Sequence, residues 1–354
     1  MFLAFKEIGQ SKLRYTLISV ITIAVLFLVF FVTGLANGLG FGDSSAIRNI
    51  QADYIVTNKD ADGAIIKSDL TPADVEMISE QLDGKATPLA ITMSAIERST
   101  EKDVDIVYFS VDSKKYKDLD VIEGKNFREL SVNEVIADKS IELFGLKLND
   151  QIIDKSTGKK LVIAGITKDQ TYSMMPVVYA EFELGMGSLY KTQLSYNAVV
   201  YTGDMTAING YDTMTPLESA KAVPGYKETQ GSLTMIVVFL FIISAFVSTV
   251  FFYVITLQKI NQFGILKAIG AKTSYIAKSI VIQVTLITMI GLTFSSLLVY
   301  GMTQVIPEGM PFRTSPTIVF GTAVLFLVLN LLGSLLSVYK VAKTDALVAI
   351  GRVE

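Results

Sequence analysis

Residues 229–258, TQGSLTMIVVFLFIISAFVSTVFFYVITLQ, form a run of 30 positions without Asp, Glu, Lys or Arg. A helix needs about 20 mostly apolar residues to cross a hydrocarbon core of about 30 Å. This run is therefore predicted to be a membrane-spanning helix that projects beyond the bilayer as a stalk. Three further uncharged runs are also long enough to span, at 15–42, 279–307 and 314–339. The chain is thus predicted to cross the membrane four times.

The remaining long segment has a different composition. Of the 354 residues in the chain, 51% are hydrophobic and 18% are charged, which is too apolar for one soluble globule. The block 43–228 nevertheless holds 20 basic and 30 acidic residues. A block of this size and charge is predicted to be an independently folded, water-soluble domain.

Local patterns in this block predict both strands and helices. Alternating apolar positions indicate strands at 53–57 and 104–111. Between them, Thr71, Pro72 and Asp74 provide the start of a helix. The same patterns continue with a strand at 134–137, a short helix at 139–146 and a strand at 161–167. The block is therefore predicted to be an α+β domain.

Charge predicts how the spans are oriented. The short polar segments 1–14, 259–278 and 340–354 together hold 10 basic and 3 acidic residues. Short basic loops stay on the cytoplasmic side, whereas large translocated domains are exempt from this bias. Both termini and the loop 259–278 are therefore predicted to be cytoplasmic in a bacterial cell membrane. The block 43–228 is predicted to lie outside.

These inferences divide the chain into nine consecutive parts. They are an amphipathic helix on the inner membrane surface, 1–14; the first span, 15–42; the extracytoplasmic α+β domain, 43–228; the second span and stalk, 229–258; a cytoplasmic coupling loop, 259–278; the third span, 279–302; a short outer loop, 303–314; the fourth span, 315–339; and a cytoplasmic tail, 340–354. The coupling loop is predicted to contain a short helix bracketed by glycines.

Two glycines near the end of the first span have two explanations. Gly34 and Gly38 form a small-xxx-small pair. Such a pair would let another helix, for example from a second copy of the chain, pack closely. A helix that frays at the outer face of the membrane would account for the same glycines.

Several chemistries are excluded by what the sequence lacks. It contains no G-x-x-x-x-G-K-S/T loop, so it has no recognisable means of binding ATP by itself. It contains no His and no Cys, which removes Ser-His-Asp and Cys-His catalysis, His-based zinc sites and His-ligated haem. No catalytic site, metal site or nucleic-acid partner is predicted. Because the spans carry essentially no charge, energy for transport is expected to come from a partner.

The order of these parts resembles the MacB and FtsX superfamily of ABC permeases. The segment 264–270 (GILKAIG) resembles its coupling segment, and the tail 342–351 (AKTDALVAIG) resembles its usual ending. The segments 133–137 (NEVIA) and 146–150 (LKLND) are similar to its outer-domain core. The resemblance implies a MacB-like (type VII ABC) architecture, a homodimer and a separate ATPase that binds ATP. The residues that would contact the ATPase are Gly264, Lys267, Ala268 and Gly270.

Three segments are more specifically similar to HrtB-type haem-efflux permeases of Gram-positive bacteria. They are 251–260 (FFYVITLQKI), 33–40 (TGLANGLG) and 310–312 (MPF). This resemblance implies export of haem by an HrtA-type ATPase, with haem as cargo and no intrinsic cofactor. Two other functions share the architecture: export of another amphiphile, such as a peptide or antibiotic, and FtsX-like mechanical control of a cell-wall hydrolase.

If haem is the cargo, its iron must be ligated without His or Cys. Oxygen or thioether groups are then the only protein ligands. The candidates are Tyr172, Met174, Met175, Tyr226 and Met235. Packing in a small core would explain the two adjacent Met residues, and an interfacial anchor would explain Tyr226, without any ligand.

Overall fold

The structure is a computed structural model, and it describes residues 6–7, 9–98, 102–116, 119–182, 195–307 and 309–343. The chain divides into two compact units. The membrane unit comprises residues 1–37, 232–307 and 312–354. The outer unit comprises residues 38–231 and 308–311.

Most of the described helical residues belong to four long apolar helices. The helices, in chain order, are α1 (Lys12–Arg48), α2 (Pro72–Gln81), α3 (Pro216–Ala220), α4 (Tyr226–Gln258), α5 (Ile260–Ala268), α6 (Thr273–Thr303) and α7 (Pro316–Ala342). Helices α1, α4, α6 and α7 are each long and apolar enough to cross a membrane. They confirm the four predicted spans. Each extends beyond its predicted span at one end or both, because a charged residue ends an uncharged run without ending a helix.

Small and polar residues set how the spans pack in the membrane unit. A Cβ atom added to Gly291 of α6 would lie 2.8 Å from the Thr22 side chain of α1. Asn330 Nδ2 of α7 donates a hydrogen bond to Thr288 Oγ1 of α6 at 3.1 Å. Lipid tails are as apolar as leucine, so close packing and interhelical hydrogen bonds hold spans together. Helix α6 is therefore joined to both α1 and α7.

Gly34 makes its close contact within the same chain. A Cβ atom at this position would lie 2.6 Å from the ring of Phe312. The Arg313 N–H donates to the Gly34 carbonyl at 3.0 Å, and the Phe312 ring stacks on Phe31 with centroids 5.5 Å apart. Gly34 thus packs against the residues that precede α7, and packing of Gly38 against a second copy stays a prediction. The fraying explanation is wrong, because α1 continues to Arg48.

The outer unit is built on one mixed sheet. Its strands are β1 (Tyr54–Asn58), β2 (Thr87–Ile96), β3 (Val104–Val111), β4 (Val121–Gly124), β5 (Glu134–Asp138), β6 (Gln151–Ile153), β7 (Lys160–Thr167), β8 (Thr171–Tyr172), β9 (Met175–Glu181), β10 (Ala198–Tyr201) and β11 (Tyr211–Met214). The order is β11-β1-β10-β2-β3-β9-β5-β7-β4, with β6 on β7 and β8 on β9. Pairs β3–β9 and β5–β7 are parallel.

The centre of the sheet is covered on both faces. In β3, Val107 and Phe109 belong to one buried cluster, and Ile106 and Tyr108 belong to a second. A strand buried on both faces is an apolar run rather than an alternating one. This arrangement makes β3 and its neighbours a rigid platform for the loops at the sheet edge.

The predicted elements of the outer unit are mostly present. Helix α2 begins with the capping box expected from Thr71 and Asp74. The strands predicted around 54, 104, 134 and 161 are all observed. The short helix predicted at 139–146 is a 3₁₀ helix, Lys139–Phe144, which Gly145 ends with a positive φ of 78°.

Candidate coupling and ligand sites

Helix α5 turns the chain between the second and third spans. It begins directly after α4 and is followed by Gly270, whose φ is +98°. The Gly270 N–H donates to the Lys267 carbonyl at 3.0 Å, and the Ala271 N–H donates to the Leu266 carbonyl at 2.9 Å. These bonds satisfy carbonyls at the helix end, and glycine adopts a positive φ without steric cost. The turn itself therefore requires Gly270.

Two of the residues predicted to contact an ATPase are engaged within the chain. Gly264 is buried. Lys267 Nζ donates to the carbonyls of Val341 and Ala342 at 2.7 and 3.2 Å. These are among the last carbonyls of α7, which a cation stabilises. Lys267 therefore joins α5 to the end of α7.

The other two predicted residues lie on an exposed surface. Ala268 and Gly270 are exposed, and Ile269 between them has 77% of its side chain accessible. Ile265, one turn earlier, is 52% exposed. Large apolar side chains on a short polar loop indicate a surface that another protein covers. Contact with an ATPase stays a prediction, and the structure adds Ile265 and Ile269 to it.

The hairpin between β8 and β9 carries predicted ligand residues at its tip. The turn residues Ser173 and Met174 have φ values of 48° and 63°. A two-residue turn with two positive φ angles is normally built from Asn, Asp or Gly, so Ser and Met are strained here. The Ser173 N–H donates to the Asp43 carbonyl at 2.9 Å, and the Met174 N–H donates to the Gly42 carbonyl at 3.2 Å. The end of α1 therefore holds the strained tip.

The three predicted ligand residues of this hairpin have different environments. Tyr172 is buried, and its ring meets Phe109 edge to face at 6.1 Å. Burial raises the pKa of the Tyr172 hydroxyl well above its ordinary value. Met175 packs against the same core, as the packing explanation expects. Met174 is 44% exposed, so that explanation is wrong for Met174.

A cavity of about 660 Å³ lies beside the hairpin tip. Its lining combines apolar side chains with both signs of charge. The lining residues are Leu143, Phe144, Gly145, Ser173, Met174, Met175 and Pro176, with Arg98, Lys102, Asp103 and Asp105. Asp103 accepts a hydrogen bond from Lys155 at 2.6 Å, which lowers the pKa of its carboxyl. Apolar surface combined with charged groups of both signs fits an amphiphilic ligand.

Tyr226 pairs with the end of α1 in the outer unit. Arg48 Nη2 donates to the Tyr226 hydroxyl at 2.7 Å, and Arg48 Nε donates to Ser44 Oγ at 3.0 Å. Tyr226 is half-buried. Met235, further along α4, belongs to the membrane unit and is 57% exposed. Of the predicted ligand residues, only Met174 and Met175 line the cavity, among the residues that the structure describes.

Sequence reasoning missed the basic residues Arg48, Arg98 and Lys102. The available signal was weak, because Arg98 and Lys102 stand in a block with 30 acidic and 20 basic residues. Arg48 had a better signal, as the basic residue that follows the first uncharged run. Within the described ranges, no group of three Asp, Glu, His or Cys side chains is placed to hold a metal ion.

Four apolar spans, a helix that connects two of them and a large α+β unit define a multi-span membrane protein with one large polar domain. Residues 234–346 match the family described as FtsX-like permease C-terminal. Over 360 residues, the chain is 30% identical to HrtB of Staphylococcus epidermidis, a permease named for hemin transport, with 99% of each chain covered. It is 28% identical to the protein of that name from Staphylococcus haemolyticus, with 100% of each covered. The chain belongs to the MacB/FtsX superfamily of ABC transporter permeases.

Solved structures of outer domains are also similar over part of the chain. The periplasmic region of MacB from Actinobacillus actinomycetemcomitans has a TM-score of 0.35 and 12% identity, covering 51% of this chain and 96% of that one. The extracellular domain of the ABC-type transporter YknZ from Gram-positive bacteria has a TM-score of 0.32 and 16% identity, covering 46% of this chain and 99% of that one. As a member of this superfamily, the protein is a membrane permease with an extracellular domain. ABC permeases of this kind work with an ATPase as dimeric assemblies.

Proposed function

We propose that this permease exports haem. The observation that supports this most is the 30% identity, over 99% of the chain, to permeases named for hemin transport. The similarity covers the outer unit as well as the spans, and the outer unit carries the cavity beside the hairpin. Haem is a flat, apolar ring with two carboxylates, so it partitions into lipid and needs no charged path across the bilayer.

The cavity supports the proposal by its chemistry. Leu143, Phe144 and Pro176 offer apolar surface, while Arg98 and Lys102 carry charges opposite to the two propionates. Asp103 and Asp105 lie in the same lining, and Asp103 is paired with Lys155. Met174 lines the cavity and is 44% exposed, so its thioether is the protein ligand best placed to meet iron, since His and Cys are absent. Met175 also lines this cavity and is the second candidate ligand for the iron.

The other predicted ligand residues are assigned weaker roles. Tyr172 is buried in the core, so it supports the hairpin rather than binding iron. The Arg48–Tyr226 pair offers a guanidinium and a phenol, which suit a propionate as it leaves the bilayer. Met235 is exposed on α4 and would contact the apolar ring within the membrane unit.

Energy is proposed to enter at α5 from a separate ATPase of the HrtA type. The permease hydrolyses no ATP itself in this proposal, and two copies of it assemble with two ATPases. Both termini and α5 lie in the cytoplasm, as the positive-inside bias expects. The apolar pair Ile265 and Ile269 would enter a groove on the ATPase, with Ala268 and Gly270 beside them. Closure of the ATPases on ATP would push α5 and tilt α4.

Titration of the purified full-length permease with haemin tests this function. We expect a saturable Soret band, and ATP-dependent loss of haemin from vesicles that contain the permease and its ATPase. Met174→Ala should shift the band and weaken binding, because it removes the exposed thioether. Met205→Ala is the matched control, since Met205 is 62% exposed in the outer unit and does not line the cavity.

The competing functions give different results in the same preparation. An exporter of a peptide or antibiotic would show no saturable haemin binding, and its ATP turnover would respond to that amphiphile instead. A mechanical regulator of a cell-wall hydrolase would move neither class of compound. Either result would replace haem export as the function.

A further inference from the structure

A buried cluster of polar side chains lies within the membrane unit. Lys259 Nζ donates to Glu7 Oε2 at 3.0 Å and to the Tyr15 hydroxyl at 3.1 Å. The side chains of Lys259 and Glu7 are only 8% and 9% exposed. Gln283 Nε2 donates to Glu7 Oε2 at 2.6 Å, and Gln283 Oε1 accepts from the Tyr15 hydroxyl at 2.6 Å. The four side chains form a closed ring of hydrogen bonds.

The cluster joins parts of the chain that are distant in sequence. Glu7 belongs to the helical residues before α1, Tyr15 to α1 and Gln283 to α6. Lys259 is the one residue between the end of α4 at Gln258 and the start of α5 at Ile260. The ring therefore ties the junction between α4 and α5 to three other parts of the chain: the N-terminal segment, α1 and α6.

The backbone at this junction is a bend between two helices. Lys259 has φ −102° and ψ 7°, outside the α-helical region, and it stands at the N-cap position of α5 without a side-chain cap. Its N–H still donates to the Ile255 carbonyl of α4 at 3.2 Å, and its own carbonyl accepts from the Phe263 N–H at 3.0 Å. Backbone hydrogen bonds continue across the bend, and Lys259, the residue with non-helical backbone angles, is also the residue whose side chain the ring holds.

Charges buried in this way are costly unless each is paired and hydrogen-bonded. A surface lysine would leave the bend free to flex, and an apolar residue would pack without directional contacts. The observed ring supplies both charge pairing and direction. This explains why Glu7 and Lys259 are placed in an otherwise apolar cluster that includes Ile18, Phe263 and Ile276.

We propose that Lys259 and Glu7 are positioning residues that lock the angle between α4 and α5. With the angle locked, a displacement of α5 by the ATPase moves α4 as a rigid arm. Without it, the bend absorbs the displacement and ATP is hydrolysed with little transport. The proposal requires only an ABC permease driven through α5, and it holds whichever cargo is carried.

Spin-label distances test the lock without reference to the cargo. The chain has no Cys, so Phe239→Cys on α4 and Gln262→Cys on α5 can be labelled selectively. In the complete complex with its ATPase, we expect one narrow distance that is the same with and without a non-hydrolysable ATP analogue. In a Lys259→Met background, we expect that distance to broaden or to shift when the analogue binds. An unchanged narrow distance in the variant would overturn the proposal.

Transport measurements provide the second readout, with haemin as the probe. Lys259→Met should lower the haemin exported per ATP hydrolysed by about tenfold or more, as for a lost buried ion pair, while ATP turnover continues. Lys278→Met, at an exposed lysine of α6, is the matched control and should change this ratio less than about twofold.

Two double variants separate positioning from folding. Glu7→Lys with Lys259→Glu restores the pair and should recover a narrow spin-label distance. Glu7→Gln with Lys259→Met removes both charges, so it should assemble well yet keep the flexible bend. If the neutral double variant keeps a narrow spin-label distance and exports as much haemin per ATP as the wild type, the cluster has only a structural role and the proposal is wrong. If haemin moves in none of the proteins, the spin-label result still decides this proposal, and haem export alone fails.

Discussion

The Lys259 cluster in the membrane unit and the 171–175 hairpin in the outer unit fix local geometry by different means. The cluster uses charged side chains that are buried and fully hydrogen-bonded to one another. The hairpin uses neutral hydrogen bonds: backbone amides reach the carbonyls of Gly42 and Asp43 at the end of α1, and Thr171 bonds to Ser45 Oγ and to the Gly42 carbonyl. The first arrangement depends on buried charges, whereas the second depends on backbone shape and two neutral hydroxyl side chains, Ser45 and Thr171.

The difference follows from the solvent around each region. In an apolar setting a paired charge holds its partner strongly, and an unpaired one is very costly. An exposed ion pair near water contributes little to stability, and the hairpin accordingly relies on neutral hydrogen bonds of its backbone, Ser45 and Thr171. We therefore expect substitutions in the cluster to be severe and non-additive, and substitutions in the hairpin to be mild and additive.

The largest effect is expected when the ion pair is broken on one side. Lys259→Met leaves Glu7 buried without its cation, which should cost about 3–5 kcal/mol of the membrane unit's stability. Adding Glu7→Gln should return much of this loss. Unfolding of the full-length permease in detergent micelles measures both variants. Equal losses in the single and double variants would mean that the pair contributes through packing alone.

A smaller effect is expected where the hairpin meets α1. A Cβ atom on Gly42 would overlap Met174 Sδ, so this glycine needs its missing side chain. Gly42→Leu should cost about 1–3 kcal/mol and displace Met174 from the cavity wall. Gly42→Ala should cost less, because the flexible Met174 side chain can move aside. Thermal unfolding and haemin affinity of the full chain distinguish the two variants, and a harmless leucine would show that the hairpin tip is loosely held.

Relief of backbone strain should give a gain in stability. Ser173 has φ 48°, and glycine adopts such a φ without the cost of about 1–2 kcal/mol that a side chain brings. Ser173→Gly should therefore slow hydrogen–deuterium exchange of the amides at 171–175. Ser173→Val is the opposing control and should accelerate exchange. Faster exchange in the glycine variant would show that Ser173 is stabilised by contacts that outweigh its strain.

The smallest effect concerns pH and the base of the same hairpin. Asp138 is buried and accepts hydrogen bonds from the N–H groups of Ser140 and Gln170, at 2.9 and 2.7 Å. Burial raises the pKa of Asp138 above its ordinary value of 3.8. A carboxyl group whose pKa is higher in the folded state than in the unfolded state stabilises the folded protein. That stabilisation is fully present at pH values below the unfolded-state pKa and is lost as the pH rises through the folded-state pKa.

The Asp138 contribution can be isolated by difference. Stability measured from pH 3.8 upward should fall less steeply in Asp138→Asn than in the wild type. The wild type and the variant must be compared with each other, because Asp74, Asp103 and Glu134 have lowered pKa values. These three groups make the folded protein more stable as the pH rises, which masks the opposite effect of Asp138 in a single profile. Parallel pH profiles for the two proteins would contradict the raised pKa.

The sequence predicts the spans more completely than the sites. An uncharged run can be read directly from the sequence, and the four long runs coincide with α1, α4, α6 and α7. The strands β1 and β3 are also visible, because Val, Ile, Tyr and Phe are concentrated in them. The strand β9 was missed because Pro176 to Ala180 are all buried, which gives an apolar run without a period. Glu7 was assigned to the amphipathic helix 1–14 and Lys259 to the loop 259–278, and their pairing was missed because nothing in a sequence pairs residues 252 positions apart.

Ligand residues were predicted by type and not by exposure. Tyr172 and Met174 are two positions apart, yet one lies in the core and the other on a cavity wall. The positive φ values at Ser173 and Met174 turn the chain between them. Ser and Met are not typical of such a turn, so nothing in the sequence indicated that Tyr172 would lie in the core and Met174 on the cavity wall.

Helix α7 is attached to its neighbours at both ends. Before it begins, Phe312 sits on Gly34 and the Arg313 N–H holds the Gly34 carbonyl. Where it finishes, Lys267 of α5 holds the carbonyls of Val341 and Ala342. A helix that is attached at both ends can tilt only if at least one attachment moves. Helix α7 therefore links the first span to α5, so a displacement of α5 would act on α7 as well as on α4.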